Sequence, residues 1–427
     1  MRVLLLGMGS RGDVQPLVAL GERLLRRGYA VSLAAPADLG HVVAGSGISF
    51  EPFSFDLERP LREGLGRESL RGSAVTQVRE ARLMRRVMAE CAEALAADVT
   101  RLVEGADAVV SGALTFDLVD SLLAGSPKPH VYTIFAPVWP SAHGESVALR
   151  LLPRRRSALN LWWSSLAGRV ALDLFRPAGD LVRARKGLPR RTFRSYSAAA
   201  SGTPTILGAS PAVVPRAGDW PRAVRQTGFW FRAPGADEPG LPPEVETFLA
   251  AGPPPVFVGF GSMPTPDPDA VVRGVVDVLG SLGVRGVVSE GLAGLSLGRI
   301  DPDLTPGVVG VGPTPHDELF PRCSVVVHHG GAGTTAAAAR AGVAQVVVPH
   351  AADQPYWGRR MADLGVAAPP IARKDLTPSR LRAALEVALT PEVQRAAYVL
   401  GEHVRTEDGA GEAADLVDSL LRRERRP

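Results

Sequence analysis

Val3-Leu4-Leu5-Leu6-Gly7-Met8-Gly9-Ser10-Arg11-Gly12-Asp13-Val14-Gln15-Pro16 joins an apolar run to a glycine-rich loop and a proline. Four consecutive apolar residues suit a strand buried on both faces of a parallel sheet. Leu17–Arg27 then carries helical periodicity, with Pro16 placed for the first helical position and Gly28 for the stop. Val31–Ala35 supplies a second strand, so this N-terminal stretch reads as a βαβ unit. Gly7 to Gly12 fits G-x-G-x-x-G, which alone suggests a dinucleotide site. Three features argue against a dehydrogenase. Asp13 would set a carboxylate beside the pyrophosphate, the helix is expected only from Pro16, and the second strand ends Ala34-Ala35-Pro36 with no acidic residue for a ribose. The same geometry instead presents Ser10 and Asp13 at the carboxyl end of a parallel strand, where α/β folds bind their ligands.

Further strands are expected at Ala106–Val110 and His130–Phe135, with a helical stretch over Val75–Leu102. From Ser141 to about Ser201 the rhythm is lost. This stretch carries Trp139 just before it, then His143, Leu161-Trp162-Trp163 and the arginines 154 to 156, 183, 185, 190, 191 and 194. It reads either as surface helices with solvated arginines or as a region for an acceptor or a membrane surface. Proline and glycine crowd together from Pro211 to Pro243 and mark an interdomain connection. A second series follows, with strands at Val256–Phe260, Gly286–Ser289, Val308–Val311, Ser324–His328 and Gln345–Pro349. Helical patterns lie at Asp269–Leu282, Thr334–Ala341, Pro355–Leu364 and Pro378–Leu389. The fold class is therefore α/β, with two facing Rossmann-like domains over residues 1–215 and 216–405 and a final amphipathic helix within 406–427.

Composition bounds the rest. The 427 residues are 45% apolar and 22% charged, which excludes a disordered or fibrous chain and favours two domains. A pI of 9.4 hints at nucleic acid, but 48 basic residues against 44 acidic leave almost no excess, so no nucleic-acid partner is expected. No apolar run is long enough to span a bilayer, and Val3–Leu6 is too short for a secretory signal core. Cys91 and Cys323 have no metal or CxxC spacing and read as buried thiols of a reducing compartment. A cytoplasmic location is expected, with peripheral membrane contact left open.

The stronger anion cradle is His328-His329-Gly330-Gly331-Ala332-Gly333-Thr334-Thr335. It follows a strand and opens a helix, so unpaired amides and the helix dipole converge on one anion. No Walker lysine follows, which disfavours a P-loop NTPase. Downstream, Asp353-Gln354-Pro355 after Val346–Pro349 sets a carboxylate beside a carboxamide at the same sheet edge. That pair suits vicinal hydroxyls, and Asp353 alone also reads as a helix cap.

Together these segments resemble the nucleotide-sugar-dependent glycosyltransferases of family 1, UGT-type with the GT-B fold. Within that family the likeness is to the bacterial branch that decorates antibiotics and to sterol glucosyltransferases. It rests on Gly9 to Pro16, on Gly259-Phe260-Gly261-Ser262-Met263 and on His328 to Pro355. The resemblance implies that the N-terminal domain holds the acceptor, the C-terminal domain holds the nucleotide sugar, and the last helix crosses back to the N-terminal domain. It puts Asp13 in the place of the general base. His329, Gly331, Ala332, Gly333 and Thr334 fall on the diphosphate contacts, Asp353 and Gln354 on the sugar hydroxyls, and Ser262 and Ser10 near the donor phosphates. Val311 falls where plant members stack a tryptophan on uracil, which removes a cue for UDP over dTDP.

The resemblance further implies a single in-line displacement that inverts the anomeric carbon of a hexose or deoxyhexose. Asp13 takes the acceptor proton, a contribution of roughly 10²–10⁴-fold. With an ordinary carboxyl pKa of ~3.9, either the proton moves late or burial raises the pKa. The leaving diphosphate gains charge opposite the amides of 331–335, and one such donor is worth about 10²–10³ in rate. No acidic cluster suggests a metal site, so metal-independent catalysis without a resident cofactor is expected. Asp117 and His143 are candidate partners for the base. His143, Trp139 and Trp162 are the expected acceptor contacts, and the acceptor is expected to be bulky and largely apolar: a polyketide, macrolide, sterol or similar molecule. A monomer or weak homodimer is the default. A nucleotide-sugar epimerase or hydrolase of the same fold, and a non-catalytic helper, remain as alternatives.

Overall fold

The computed structural model describes residues 1–55, 74–148, 156–232, 240–261, 267–290, 295–299 and 307–423. Ser262, Arg154 and Arg155 lie outside them. The chain divides into two compact units, one built on each of two sheets.

The first sheet has seven parallel strands in the order β3-β2-β1-β4-β5-β6-β7. They are β1 Arg2–Leu6, β2 Ala30–Ala35, β3 Ser49–Pro52, β4 Ala108–Ser111, β5 His130–Ile134, β6 Thr205–Leu207 and β7 Val224–Gln226. Side chains of β1 alternate between the two faces, as a pleated strand requires. Val3 and Leu5 pack with Leu17, Leu20 and Leu24, whereas Leu4 and Leu6 pack with Leu95, Val99 and Leu118. Both faces are thus covered, and the unit is doubly wound.

Three boundaries differ from the sequence expectations. Helix α1 spans Arg11–Arg26 and begins ahead of Pro16, which sits inside it. Ser10 and Asp13 form a reciprocal capping box there, and satisfying two orphan amides at once outweighs the one helical bond that proline removes. The stretch 75–102 is two helices, Ala74–Glu90 and Ala92–Glu104, broken at a half-buried Cys91. Residues 216–232, expected beyond the first domain, belong to the first unit because β7 completes its sheet. The segment read as a connection therefore contains a strand, too short for its pattern to stand out between prolines.

The irregular middle of the chain forms helix α2, Ala158–Phe175, followed by the helices Pro177–Arg185 and Phe193–Gly202. The second sheet has five parallel strands in the order β10-β9-β8-β11-β12. These are β8 Val256–Gly259, β9 Gly286–Ser289, β10 Val308–Val311, β11 Val325–His328 and β12 Ala344–Val347. Helix α3, Ala332–Ala341, follows β11, and helix α4, Gln354–Asp363, follows β12. Helix Pro391–Arg405, which the sequence reading did not mark, ends the unit.

From residue 407 the chain returns to the first unit. Helix α5, Gly409–Arg423, lays Ala410, Ala413, Ala414, Val417 and Leu421 into the core beside α1. Its first turn is tightly packed: a Cβ on Gly409 would lie 2.4 Å from the carbonyl oxygen of Thr227 and 2.6 Å from that of Phe229. Ser210 donates to Glu407 just ahead of the helix at 2.6 Å, and Tyr29 donates to Asp418 within it at 2.6 Å. No helix among the described residues is long and apolar enough to cross a membrane.

Candidate active site

In the first unit the sheet order reverses between β1 and β4, with β2 on one side of β1 and β4 on the other. Such a switch point opens a crevice at the carboxyl ends of the strands. Asp13 stands there, half-buried, at the third position of α1. Its Oδ2 accepts the Ser10 amide at 2.8 Å and the Ser10 hydroxyl at 3.4 Å. Gly9 has φ +130° and a Cβ there would come within 2.3 Å of that oxygen, so only glycine leaves room for the carboxylate. Ser10 is the cap of α1, its Oγ accepting the Gly12 amide at 3.3 Å.

The two candidate partners of the base have other commitments. Asp117 is buried and accepts from Arg191 Nε at 2.6 Å. Burial raises its pKa, although Arg191 opposes the shift. His143 stands 3.2 Å from Asp219, at ion-pair distance but without hydrogen-bond alignment. Asp219 also accepts from Ser141 Oγ at 2.8 Å and the Ala142 amide at 2.6 Å. Burial pushes its pKa up, but these hydrogen bonds outweigh that effect and hold the value down. Trp139 is buried against Trp220, with 5.5 Å between ring centroids. Trp162 lies on the exposed side of α2. Trp139 and Trp162 thus occupy a core position and a surface position, and only His143 and Trp162 are accessible.

In the second unit three adjacent strands end in register, with His328 opposite Gly259 on β8 and Val347 on β12. The loops after them form one edge. His328 is fully buried at the end of β11. Its Nδ1 accepts the Gly330 amide at 3.1 Å, so the ring proton resides on Nε2 and is donated to Gln345 Oε1 at 2.9 Å. Burial, with the neighbouring His329, pushes its pKa down to about 3. His328 therefore shapes the glycine loop from behind as a neutral ring.

His329 is half-buried, and burial pushes its pKa down to about 4. Its ring fits between two glycines: a Cβ on Gly331 would come within 2.5 Å of Nε2, and one on Gly261 within 3.2 Å of Cε1. Its Nδ1 has no hydrogen-bond partner among the described residues. Beside it, α3 starts at Ala332 with no side chain capping it. The amides of Ala332, Gly333 and Thr334 occupy the first turn, where a helix offers unsatisfied donors and a positive dipole end. Thr334 is half-buried, and Thr335 is buried with its Oγ1 unpartnered among the described residues.

Asp353 occupies the N-cap position of α4, yet its side chain does not cap the helix. Its Oδ2 accepts the indole N–H of Trp357 at 2.7 Å, and burial raises its pKa although Trp357 pulls it back. Gln354 is buried, and its Oε1 accepts the amides of His350 at 2.7 Å and Ala351 at 3.0 Å. Its oxygen being taken, the carboxamide offers only its N–H₂, where the sequence reading expected both roles. The turn presenting this pair is strained: Ala352 has φ 51°, the one positive value at a non-glycine among the described residues.

Val311 is buried in the core with Phe257 and Val287, so its side chain presents no surface to a base. The sequence reading missed three residues that serve this edge: Gln345, Trp357 and His350. His350 lies tilted against Phe260, with ring centroids 5.6 Å apart, and its Nδ1 donates to the Val348 carbonyl at 2.8 Å. The Asp353–Trp357 spacing of four residues on a helix was a legible signal. The Gln345–His328 pair was not, because it depends on which strands are neighbours.

Among the described residues no group of three or more His, Cys, Asp or Glu side chains gathers as a metal site would require. The arrangement can bind an anion on the amides of α3, with His329 adding a neutral donor, and can hold hydroxyls on Asp353 and Gln354.

Known proteins match along the whole chain. Residues 3–111 match the glycosyltransferase family 28 N-terminal domain, and residues 299–412 match the C-terminal domain described as erythromycin biosynthesis protein CIII-like. The vancomycin aglycone glucosyltransferase of Amycolatopsis orientalis is 34% identical over 100% of this chain and 99% of its own length. A sterol 3-beta-glucosyltransferase of Arabidopsis thaliana is 31% identical over 97% of this chain and 67% of its own length. The crystal structure of glycosyltransferase VinC in complex with dTDP superposes with a TM-score of 0.64 at 22% identity, covering 100% of both chains. With its two parallel-sheet α/β units and its returning C-terminal helix, the chain belongs to the family 1 glycosyltransferases of the GT-B fold, the group that includes the antibiotic and sterol glycosyltransferases.

Proposed function

We propose that this glycosyltransferase moves a hexose or deoxyhexose from a UDP- or dTDP-sugar to a hydroxyl of a bulky, largely apolar small molecule, with inversion and without a metal. The observation that carries this reading is the uncapped start of α3 beside a neutral His329, with Asp353 and Gln354 offered from the next strand end. The diphosphate sits on the amides of Ala332, Gly333 and Thr334, which supply the charge stabilisation that a cation supplies in other enzymes. His329 donates to a phosphate oxygen. Asp353 accepts from sugar hydroxyls, and the Gln354 carboxamide donates to them.

Asp13 is the proposed general base. It takes the proton of the acceptor hydroxyl as that oxygen attacks the anomeric carbon and the bond to the diphosphate oxygen breaks. Its hold on Ser10 fixes the carboxylate in one orientation, and orientation of a reacting group is a large part of catalytic advantage. The relatives named for the vancomycin aglycone and for sterols support a bulky acceptor. The dTDP held by VinC supports a nucleoside diphosphate in the donor place. The likeness to bacterial antibiotic enzymes supports a cytoplasmic location.

The test is a product assay by mass. UDP- and dTDP-glucose are supplied with a panel of polyketide, macrolide and sterol acceptors, and with none. Acceptor-dependent gain of a hexose supports the proposal. Consumption of donor at the same rate without acceptor would establish a hydrolase or epimerase in its place.

A further inference from the structure

Helix α2 is turned inside out. Along its length Asn160, Ser164, Gly168 and Leu172 recur at every fourth position, and Asn160 and Ser164 are among its few buried residues. That side faces the protein: Ser164 Oγ accepts the Ser141 amide at 3.1 Å, and a Cβ on Gly168 would lie 2.9 Å from the ring of Phe193. The opposite side carries Leu159, Trp162, Trp163, Leu166 and Val170, at helical spacing. All five are exposed, Trp162 at 59%, Leu159 at 53% and Val170 at 51%. Two tryptophans and three branched aliphatics in one stripe form a contiguous apolar surface, unlike the scattered apolar residues normal on a monomer.

Basic residues outnumber acidic ones in this part of the chain. Between residues 141 and 201 twelve basic residues stand against three acidic, while the whole chain has an excess of only four. Many of these arginines are used internally. Arg191 and Arg183 are buried, Arg176 pairs with Asp173 and Asp180, and Arg185 pairs with Glu93. Arg156, Arg169 and Arg194 are not: they are exposed and form no ion pair among the described residues. Arg156 precedes the helix, Arg169 lies at the edge of the stripe over the ring of Phe193, and Arg194 follows Phe193 on the helix packed beside α2. The one acidic residue within the stripe, Asp173, is neutralised by Arg176 at 2.7 Å and Arg85 at 3.4 Å.

We propose that α2 is an in-plane anchor for an anionic lipid bilayer. Leu159, Trp162, Trp163, Leu166 and Val170 enter the boundary between headgroups and acyl chains, and Arg156, Arg169 and Arg194 pair with lipid phosphates. Tryptophan suits that boundary because its ring is apolar while its N–H stays wet, and arginine reaches a phosphate while its stem lies on the apolar side. A protein partner would need no excess of positive charge around the stripe, whereas an anionic leaflet attracts each exposed arginine. The anchor is independent of the transfer chemistry.

The test uses the full chain and phosphatidylcholine vesicles with and without about 30% phosphatidylglycerol, read by co-sedimentation and by tryptophan emission. At low salt the protein should pellet with the anionic vesicles, shift its emission to the blue, and be released as salt screens the charges. Leu166→Ser/Val170→Ser should lower the partition coefficient at least tenfold with an unchanged melting temperature, since both side chains already face water. Arg156→Glu/Arg169→Glu should abolish the preference for phosphatidylglycerol. The proposal falls if the wild type stays in the supernatant at low salt, or if Leu166→Ser/Val170→Ser pellets like the wild type. It falls equally if light scattering shows a dimer that this variant dissociates, for the stripe would then join two copies of the chain.

Discussion

His328 Nε2 lies 2.9 Å from Gln345 Oε1 inside the second unit, and the other ring nitrogen of His328 accepts the Gly330 amide at 3.1 Å. A strand residue with no role in binding thus fixes the tautomer that holds the glycine loop. Gln345→Leu leaves the buried ring N–H unsatisfied and should cost about 1–3 kcal/mol in urea unfolding. Gln345→Glu should protonate His328 on both nitrogens, set donor against donor at Gly330, and weaken UDP or dTDP binding measured by calorimetry.

Asp13→Asn keeps an oxygen for the Ser10 amide and removes the proposed base. Transfer should fall by roughly 10²–10⁴-fold while nucleotide affinity stays within a few-fold. Asp13→Ala should abolish transfer and also lose the Asp13 half of the capping box, at about 0.5–2 kcal/mol of stability, while Ser10 still caps the helix. Turnover like the wild type in either variant removes Asp13 from the role.

Trp357 contacts no solvent, yet its indole holds Asp353 Oδ2 at 2.7 Å. Trp357→Phe should weaken binding of the nucleotide sugar about tenfold and leave UDP or dTDP alone nearly unaffected. Equal losses for both ligands would show that the pair acts on the diphosphate and not on the sugar.

Four histidines are held neutral by burial, His328 at a pKa of about 3 and His130, His329 and His350 at about 4. Their unfolded value of ~6.5 is higher, so the unfolded chain binds more protons between these limits. Their contribution to stability is full above pH ~6.5 and is lost as the pH falls toward about 4, by up to about 1.4 kcal/mol per pH unit for each ring. Asp353 and Asp117, whose pKa values are raised, act in the opposite sense just above the ordinary carboxyl range. Urea midpoints measured from pH 7.5 to 4.5 should therefore fall monotonically, and His329→Gln should flatten the slope.

Leu421 is buried against α1 at the far end of α5. Leu421→Ala should cost about 2–5 kcal/mol, and Gly409→Ala should destabilise comparably by forcing the start of the helix away from Thr227 and Phe229. A change of less than about 0.5 kcal/mol in both would mean that α5 contributes little to the first unit.

Much of the fold was legible. Gly286–Ser289 and Val308–Val311 are strands with the expected bounds, because short valine-rich runs bounded by loops read as strands both inside the sheet (β9) and at its half-buried edge (β10). Helix starts were less legible. Pro16 signals a first turn, but Ser10 and Asp13 three residues apart are a stronger signal, and a capping box starts the helix where its two side chains can reciprocate. β7 escaped notice because three residues between prolines carry too little period to register.

The order of residues along the chain was enough to set the chemistry at three strand ends: a carboxylate after β1, a glycine run with histidine after β11, and an acid–amide pair after β12. That chemistry is local, since a strand followed by small residues and a helix leaves amides free wherever it occurs. What each group can still do was settled by its neighbours in space. Gln354 lost its oxygen to the backbone of His350 and Ala351, Asp353 gained Trp357, and His328 turned inward to Gln345. Packing also left the tryptophans of α2 outside and Asn160 inside, because which face of a helix is buried depends on what lies against it.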